Sequence, residues 1–269
     1  MILINEPKIE LYEGDCIEIM QQLDDNSIDC CITSPPYDNL RNYKGYNFDF
    51  EVFKIVATQL YRTIKQGGVV VWVVGDATIK GSETGTSFKQ ALYFKELGFN
   101  LHDTMIYQKI NYIPLTHNRY EQSFEYMFIL SKGRPKTFYP LMKENKSAGQ
   151  TYNIKRPRPY DNHSIRHNRD EIRTHKEKSI RPNIFSYLIG CGNSRTDHPA
   201  TFPYKLVEDH IVSWTNENDI IIDPFMGSGT VALSAEKLNR KWIGIEISKE
   251  YCDIIKQRVC DYTNDSLEF

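Results

Sequence analysis

The stretch Asp223 to Ile247, DPFMGSGTVALSAEKLNRKWIGIEI, constrains the fold more than any other part of the chain. It continues the apolar run IIID (220–223), turns through two glycines, takes up helical spacing near Thr230, and returns as an apolar run ending in Glu246. The segment therefore reads strand, glycine turn, helix, strand. Gly227 and Gly229 let the backbone approach a ligand where a side chain would collide, and the first helical turn offers unpaired amides. The turn has no lysine of the GxxxxGK[ST] kind to reach β and γ phosphates, and it lacks the third glycine of GxGxxG. Glu246 stands 17 residues after Gly229, where a carboxylate accepts hydrogen bonds from ribose hydroxyls in doubly wound folds. The combination suits an adenosine ligand without a long phosphate chain. A plain packing turn is the other reading of the same residues.

A second constraint lies near the start. Ser27 to Thr33, SIDCCIT, reads as a buried strand, and Ser34-Pro35-Pro36 stops it because two successive prolines remove two donors and fix φ. The pentapeptide T-S-P-P-Y, Thr33 to Tyr37, therefore follows the carboxyl end of a strand, where α/β sheets gather ligands. Its prolines stiffen the loop, hold the Ser34 hydroxyl and local carbonyls as acceptors, and offer the Tyr37 ring as a stacking face. Such a pocket suits an aromatic amine. Taken alone, S-P-P also serves as an ordinary strand terminator beside a packed tyrosine.

Elsewhere short apolar runs alternate with helical spacing, the signature of an α/β sheet. Val52, Val56, Leu60 and Ile64 predict a helix over Glu51 to Lys65, ended by Gly67-Gly68 before the strand VVVWVV (69–74). Ser87 to Leu97 reads as a helix, Thr104 to Gln108 and Phe124 to Leu130 as strands, and Phe202 to Trp214 as a helix. A last helix from Lys249 turns Tyr251, Ile254, Ile255 and Val259 inward. The strand order is not readable.

The net charge of −2 hides an uneven distribution. Lys132 to Arg181 holds 14 Lys+Arg against 5 Asp+Glu, leaving the other residues 19 against 30, so one basic segment sits within an acidic body. That segment is poor in aliphatic residues and cannot build a core alone. It reads either as a solvated insertion or as a surface for phosphates and bases. No apolar run approaches the roughly 18 to 20 residues that span a bilayer, and the first residues lack the pattern of a secretion signal. The chain is therefore expected in the cytoplasm. Its six cysteines form no CxxC pair and no zinc-finger spacing with histidine, so reduced, mostly buried thiols and no metal are expected.

Together, T-S-P-P-Y and D-P-F-M-G-S-G-T resemble the amino-methylating DNA methyltransferases that use S-adenosylmethionine, in the permuted group whose catalytic loop precedes the cofactor glycines. The resemblance runs through Gly14-Asp15-Cys16, Thr33 to Tyr37, a target-recognition region at about Lys132 to Ser194, His198 to Pro203, and Asp223 to Thr230. It implies an α/β fold, a doubly wound, mostly parallel Rossmann-like sheet with a basic insertion. The implied parts are a catalytic half (1–131), a target-recognition insertion (132–194) and a cofactor-binding half (195–269).

The same resemblance implies roles. Asp223, Phe225, Gly227 and Gly229 would bind the methionine moiety and shape the cofactor pocket, with Thr230 opening the helix. Glu246 would hold the ribose hydroxyls, Thr201 and Pro203 would line the methionine side, and Asp15 would bond the adenine. By type alone Asp15 reads equally as a helix N-cap. Ser34, Pro35, Pro36 and Tyr37 would form the catalytic loop, and Lys155, Arg156, Arg158, Arg166 and Arg169 would contact DNA.

Methylation at cytosine C5 needs a thiolate, usually from a Pro-Cys loop, and no cysteine here follows a proline. An exocyclic amine needs only acceptors that free its lone pair. Ser34 Oγ and the Pro35 carbonyl would supply them, with Tyr37 expected to stack on a base extruded from double-stranded DNA. Serine at the first motif position resembles the cytosine-N4 enzymes, adenine-N6 relatives usually carrying Asp or Asn. The expectation is thus cytosine-N4 methylation, with adenine N6 as the alternative, small-molecule, protein or RNA methylation as lesser ones, and a non-catalytic DNA-binding module as the reading from another class. A restriction endonuclease is a possible partner in function.

Overall fold

A computed structural model describes residues 2–6, 9–36, 48–112, 118–155, 170–188 and 203–267. In chain order the elements are β1 (Ile2–Glu6), β2 (Ile9–Glu13), α1 (Cys16–Met20), β3 (Ile28–Thr33), α2 (Phe50–Thr63), β4 (Ile64–Val74), β5 (Thr78–Ile79), β6 (Ser82–Glu83), α3 (Thr86–Leu97), β7 (Asn100–Lys109) and β8 (Phe124–Ser131). Then come β9 (Met142–Glu144), β10 (Thr151–Lys155), β11 (Asp170–Thr174), β12 (Lys178–Ile180), β13 (Ile184–Tyr187), α4 (Tyr204–Trp214), β14 (Ile220–Asp223), α5 (Thr230–Lys237), β15 (Lys241–Glu246) and α6 (Lys249–Leu267).

The larger of two compact units, Met1–Tyr139 with Asn183–Phe269, is built on a nine-stranded sheet of order β1-β2-β15-β14-β3-β4-β8-β7-β13. The block β2-β15-β14-β3-β4 is parallel throughout, and β7 with β13 is parallel too. The antiparallel pairings are β1 with β2, β4 with β8, and β8 with β7. The α/β sheet expected from the alternation of elements is observed, in the doubly wound, mostly parallel form that the resemblance implied. The helices α1, α2 and α3 pack in series, sharing a core with Val70, Trp72 and Val74 of β4, while α4, α5 and α6 pack one on the next. With both faces covered, Val69 to Val74 are all buried, which accounts for the unbroken apolar run.

Several boundaries differ from the sequence expectation. The helix α2 ends at Thr63, and the strand after it begins at Ile64 rather than Val69. Gly67-Gly68 lies inside β4, where the register against β3 jumps from Ile28↔Ile64 to Cys30↔Val69. Glycine is required there because a Cβ on Gly68 would come within 2.7 Å of the Asp29 carbonyl oxygen. The strand expected at 104–108 runs from 100 to 109.

The smaller unit, Pro140–Pro182, lies within the expected insertion 132–194, and residues 132–139 and 183–188 go with the larger one. It contains two antiparallel pairs, β9 with β12 and β10 with β11. Asn145 donates to the Lys176 carbonyl at 2.8 Å and accepts from Ser179 Oγ at 2.7 Å, and the rings of Tyr152 and His175 lie 4.4 Å apart. No helix among the described residues is long and apolar enough to cross a membrane.

Candidate active site

The chain leaves β14 through α5 to reach β15 on one side, and leaves β3 through α2 to reach β4 on the other. The reversal opens a crevice at the carboxyl ends of β14 and β3. Both motifs end there. Thr33, Ser34, Pro35 and Pro36 follow β3, and Asp223 to Gly229 follow β14.

The two segments are joined directly. Thr33 Oγ1 donates to Asp223 Oδ1 at 2.6 Å, and the Phe225 amide donates to the same oxygen at 3.0 Å. Asp223 is 3% exposed. Its burial, and secondarily the nearby Glu246 carboxylate, push its pKa up to about 7 against the lowering effect of the two hydrogen bonds. Asp223 therefore changes charge near neutrality and favours a cationic neighbour.

Beyond Asp223 the turn is held by Glu246 at the end of β15. Glu246 Oε2 accepts from the Gly227 amide and Oε1 from the Ser248 amide, both at 2.8 Å. Gly227 and Gly229 have φ of +54° and +85°, and a Cβ on Gly229 would come within 3.0 Å of Ile255. Gly229 caps α5 without any side-chain bond to the helix amides. Arg258 of α6 donates to the Ser228 carbonyl and lies over the Tyr204 ring, and the Phe225 ring meets Phe48 edge-on at 5.2 Å.

These features fit S-adenosylmethionine. A buried carboxylate that titrates near 7 suits its cationic methionine end, and Glu246 suits vicinal hydroxyls. The Ser248 hydroxyl, screened from solvent beside Glu246, has no hydrogen-bond partner among the described residues.

The remaining expected residues divide. Asp15 caps α1, its Oδ1 accepting from the Ile17 amide at 2.7 Å, and the adjoining Gly14 amide donates to the Glu246 carbonyl, so the G-D-C segment lies beside β15. Pro203 opens α4. Tyr37, Thr201, Arg156, Arg158, Arg166 and Arg169 lie outside the described residues, and of Lys155 only the backbone, in β10, is described.

Two residues at this edge escaped the sequence reading. Thr33 was part of the motif but had no partner assigned to it. Asp76, buried just after β4, accepts from the Ser87 amide at 2.8 Å and from Ser87 Oγ at 2.5 Å, and so caps α3 from outside the helix. Its signal was Gly75-Asp76, an acid that follows directly on the apolar run 69–74. Cys30 and Cys31, three and two residues before Thr33, are fully buried, and burial pushes both thiols well up, so neither supplies a thiolate.

Comparison with known proteins gives the same picture. Residues 28–257 match a family model described as DNA methylase. The orphan methyltransferase M.BamHII of Bacillus amyloliquefaciens is 55% identical over 249 residues, 90% of this chain and 92% of that one. The type II methyltransferase M.BglII of Bacillus subtilis is 27% identical over 268 residues, 92% of this chain and 68% of the other. Among solved structures, the M1.HpyAVI complex with SAM aligns with a TM-score of 0.60 at 26% identity, covering 93% of this chain and 99% of that one. The cytosine-N4-specific PvuII DNA methyltransferase aligns at 0.69 with 23% identity, over 92% of this chain and 84% of that one, a likeness of fold.

Proposed function

The chain belongs to the DNA methylase family, and from that membership we propose that it is a site-specific methyltransferase acting on the N4 amine of a cytosine extruded from double-stranded DNA. The coarser statement is established: it is an S-adenosylmethionine-dependent DNA methyltransferase of the cytosine-N4 and adenine-N6 group. The observation that supports transfer to an exocyclic amine is the meeting of the two motifs at one crevice, through Thr33 and Asp223.

When bound, S-adenosylmethionine supplies an electrophilic methyl group on sulfonium. Asp223 holds its cationic end, Phe225, Gly227 and Gly229 shape the pocket, and Thr230 offers the helix amides. Glu246 takes the ribose hydroxyls, Asp15 faces the adenine, and Thr201 with Pro203 lines the methionine side. Ser34 Oγ and the Pro35 carbonyl accept the two amino hydrogens of the base, which withdraws the nitrogen lone pair from ring conjugation and aims it. Pro36 fixes the loop, and Tyr37 stacks on the base. Serine at position 34, in place of Asp or Asn, favours cytosine N4. The buried thiols of Cys30 and Cys31 weigh against covalent chemistry at C5.

Lys155, Arg156, Arg158, Arg166 and Arg169 give the insertion its affinity for phosphates. The protein acts on DNA in the cytoplasm. Type II relatives support a restriction endonuclease as a partner in function, whereas the 55% identical relative is named an orphan.

Nucleoside mass spectrometry of DNA from cells expressing the chain tests the acceptor. N4-methylcytosine is expected, and N6-methyladenine alone would replace this reading with its alternative.

A further inference from the structure

Thr33 is fully buried at the end of β3. At a buried strand position valine has nearly the same shape and a stronger preference for strand, so packing alone does not call for a hydroxyl. That hydroxyl spends its proton across the sheet, on a residue 190 positions away in sequence. The strands β3 and β14 are parallel neighbours through Ile221↔Cys30 and Ile222↔Cys31, so the pair lies just beyond the last ladder positions, and the next residue along the chain from Thr33 is Ser34.

We propose that Thr33 is a positioning residue, whose bond to Asp223 makes the placement of Ser34 and Pro35 depend on occupancy of the cofactor side of the crevice. This rests on the reading above, in which Asp223 meets the cation of S-adenosylmethionine. Both described bonds to Asp223 end on Oδ1, and Oδ2 accepts none among the described residues. A cation facing Asp223 keeps it ionised, and a hydrogen bond to an ionised acceptor is roughly twice as strong as one to a neutral acceptor. Among the described residues, the other titratable groups facing Asp223 are Glu246 on β15, whose charge opposes ionisation, and the neutral Cys31 thiol on β3. With the cofactor bound, the Thr33 tether tightens, and the acceptors of the catalytic loop take a fixed place. With the site empty and Asp223 protonated, the tether slackens.

The test compares wild type, Thr33→Val and Thr33→Ser. Single-turnover methyl transfer to duplex DNA and S-adenosylmethionine affinity by calorimetry are measured between pH 6 and 9. Thr33→Val should lower the transfer rate about tenfold, the cost of one charge-assisted bond, with DNA affinity unchanged. It should also move the pH midpoint of cofactor affinity upward, because the Thr33 bond holds the Asp223 pKa down. Thr33→Ser should restore both. A Thr33→Val protein with the wild-type rate and midpoint overturns the proposal, as does a Thr33→Ser protein as impaired as Thr33→Val, which would mark a packing role. Wild type that binds no S-adenosylmethionine would instead overturn the cofactor reading on which the proposal rests.

Discussion

Thr33 and Asp223, one residue before Ser34 and four before Gly227, share a buried 2.6 Å hydrogen bond at the point where the sheet reverses its winding. The glycine turn after β14 and the Ser34-Pro35-Pro36 segment after β3 are therefore one polar construction, and its acid has a pKa near 7.

Asp223→Asn should stabilise the cofactor-free protein increasingly as pH rises. A folded pKa raised from 3.8 to about 7 gives stability that is complete below pH 3.8 and is lost as pH climbs through 7. Asparagine removes that loss while its side-chain oxygen still accepts from Thr33 and Phe225. The gain over wild type should grow between pH 4 and 7 and level off above, reaching on the order of 4 kcal/mol at most. Thermal unfolding across this range is the check, and a constant difference would remove the titration from Asp223. The same variant should bind S-adenosylmethionine far more weakly.

His210 titrates the opposite way. It is buried in α4, stacked on Phe185 with Nε2 3.4 Å from Met127 Sδ, and burial pulls its pKa down to about 4. Stability that is complete above pH 6.5 is lost as pH falls towards 4, because the unfolded chain takes up the proton first. His210→Phe should flatten acid unfolding in this window. An unchanged acid limb would assign the loss to other groups.

Ser34→Ala and Tyr37→Ala should cut turnover while leaving S-adenosylmethionine affinity nearly intact. A mismatched target, already partly unpaired, should restore part of the Tyr37→Ala loss if the ring mainly holds the extruded base. Methylation of duplex DNA by Tyr37→Ala at the wild-type rate would leave the ring no part in catalysis.

Replacing Lys155, Arg156 and Arg158 together by alanine should weaken DNA binding and flatten its salt dependence. Each lost phosphate contact removes roughly 0.9 from the slope of log K against log salt. An unchanged modified site at lower efficiency marks phosphate contacts. Relaxation of one base position marks a base-reading arginine. Unaltered affinity and slope would move DNA recognition elsewhere.

Much of this was legible because glycine and proline act locally. Ser34-Pro35-Pro36 had to end a strand, and the glycines at 227 and 229 had to turn before a helix, whatever the rest of the chain did. The apolar run 69–74 was equally plain, but its true start at Ile64 was hidden, since Ile64 also completes a helical stripe and the bulge at Gly67-Gly68 exists only against β3. The Thr33 bond was illegible for the same reason: it depends on two strands 190 residues apart becoming neighbours. Asp76, capping α3 from outside, is another product of tertiary contact. The edge strand β13 lay within 132–194, a stretch read as the target-recognition insertion.

The most direct test of the account is transfer of a tritiated methyl group from S-adenosylmethionine to duplex DNA by wild type and by Gly227→Leu, whose side chain would fill the space left at the turn. Wild type should label DNA, and a folded Gly227→Leu protein that still binds DNA should not. Equal labelling by the two proteins, or none by wild type, would contradict the placement of the cofactor between Asp223 and Glu246.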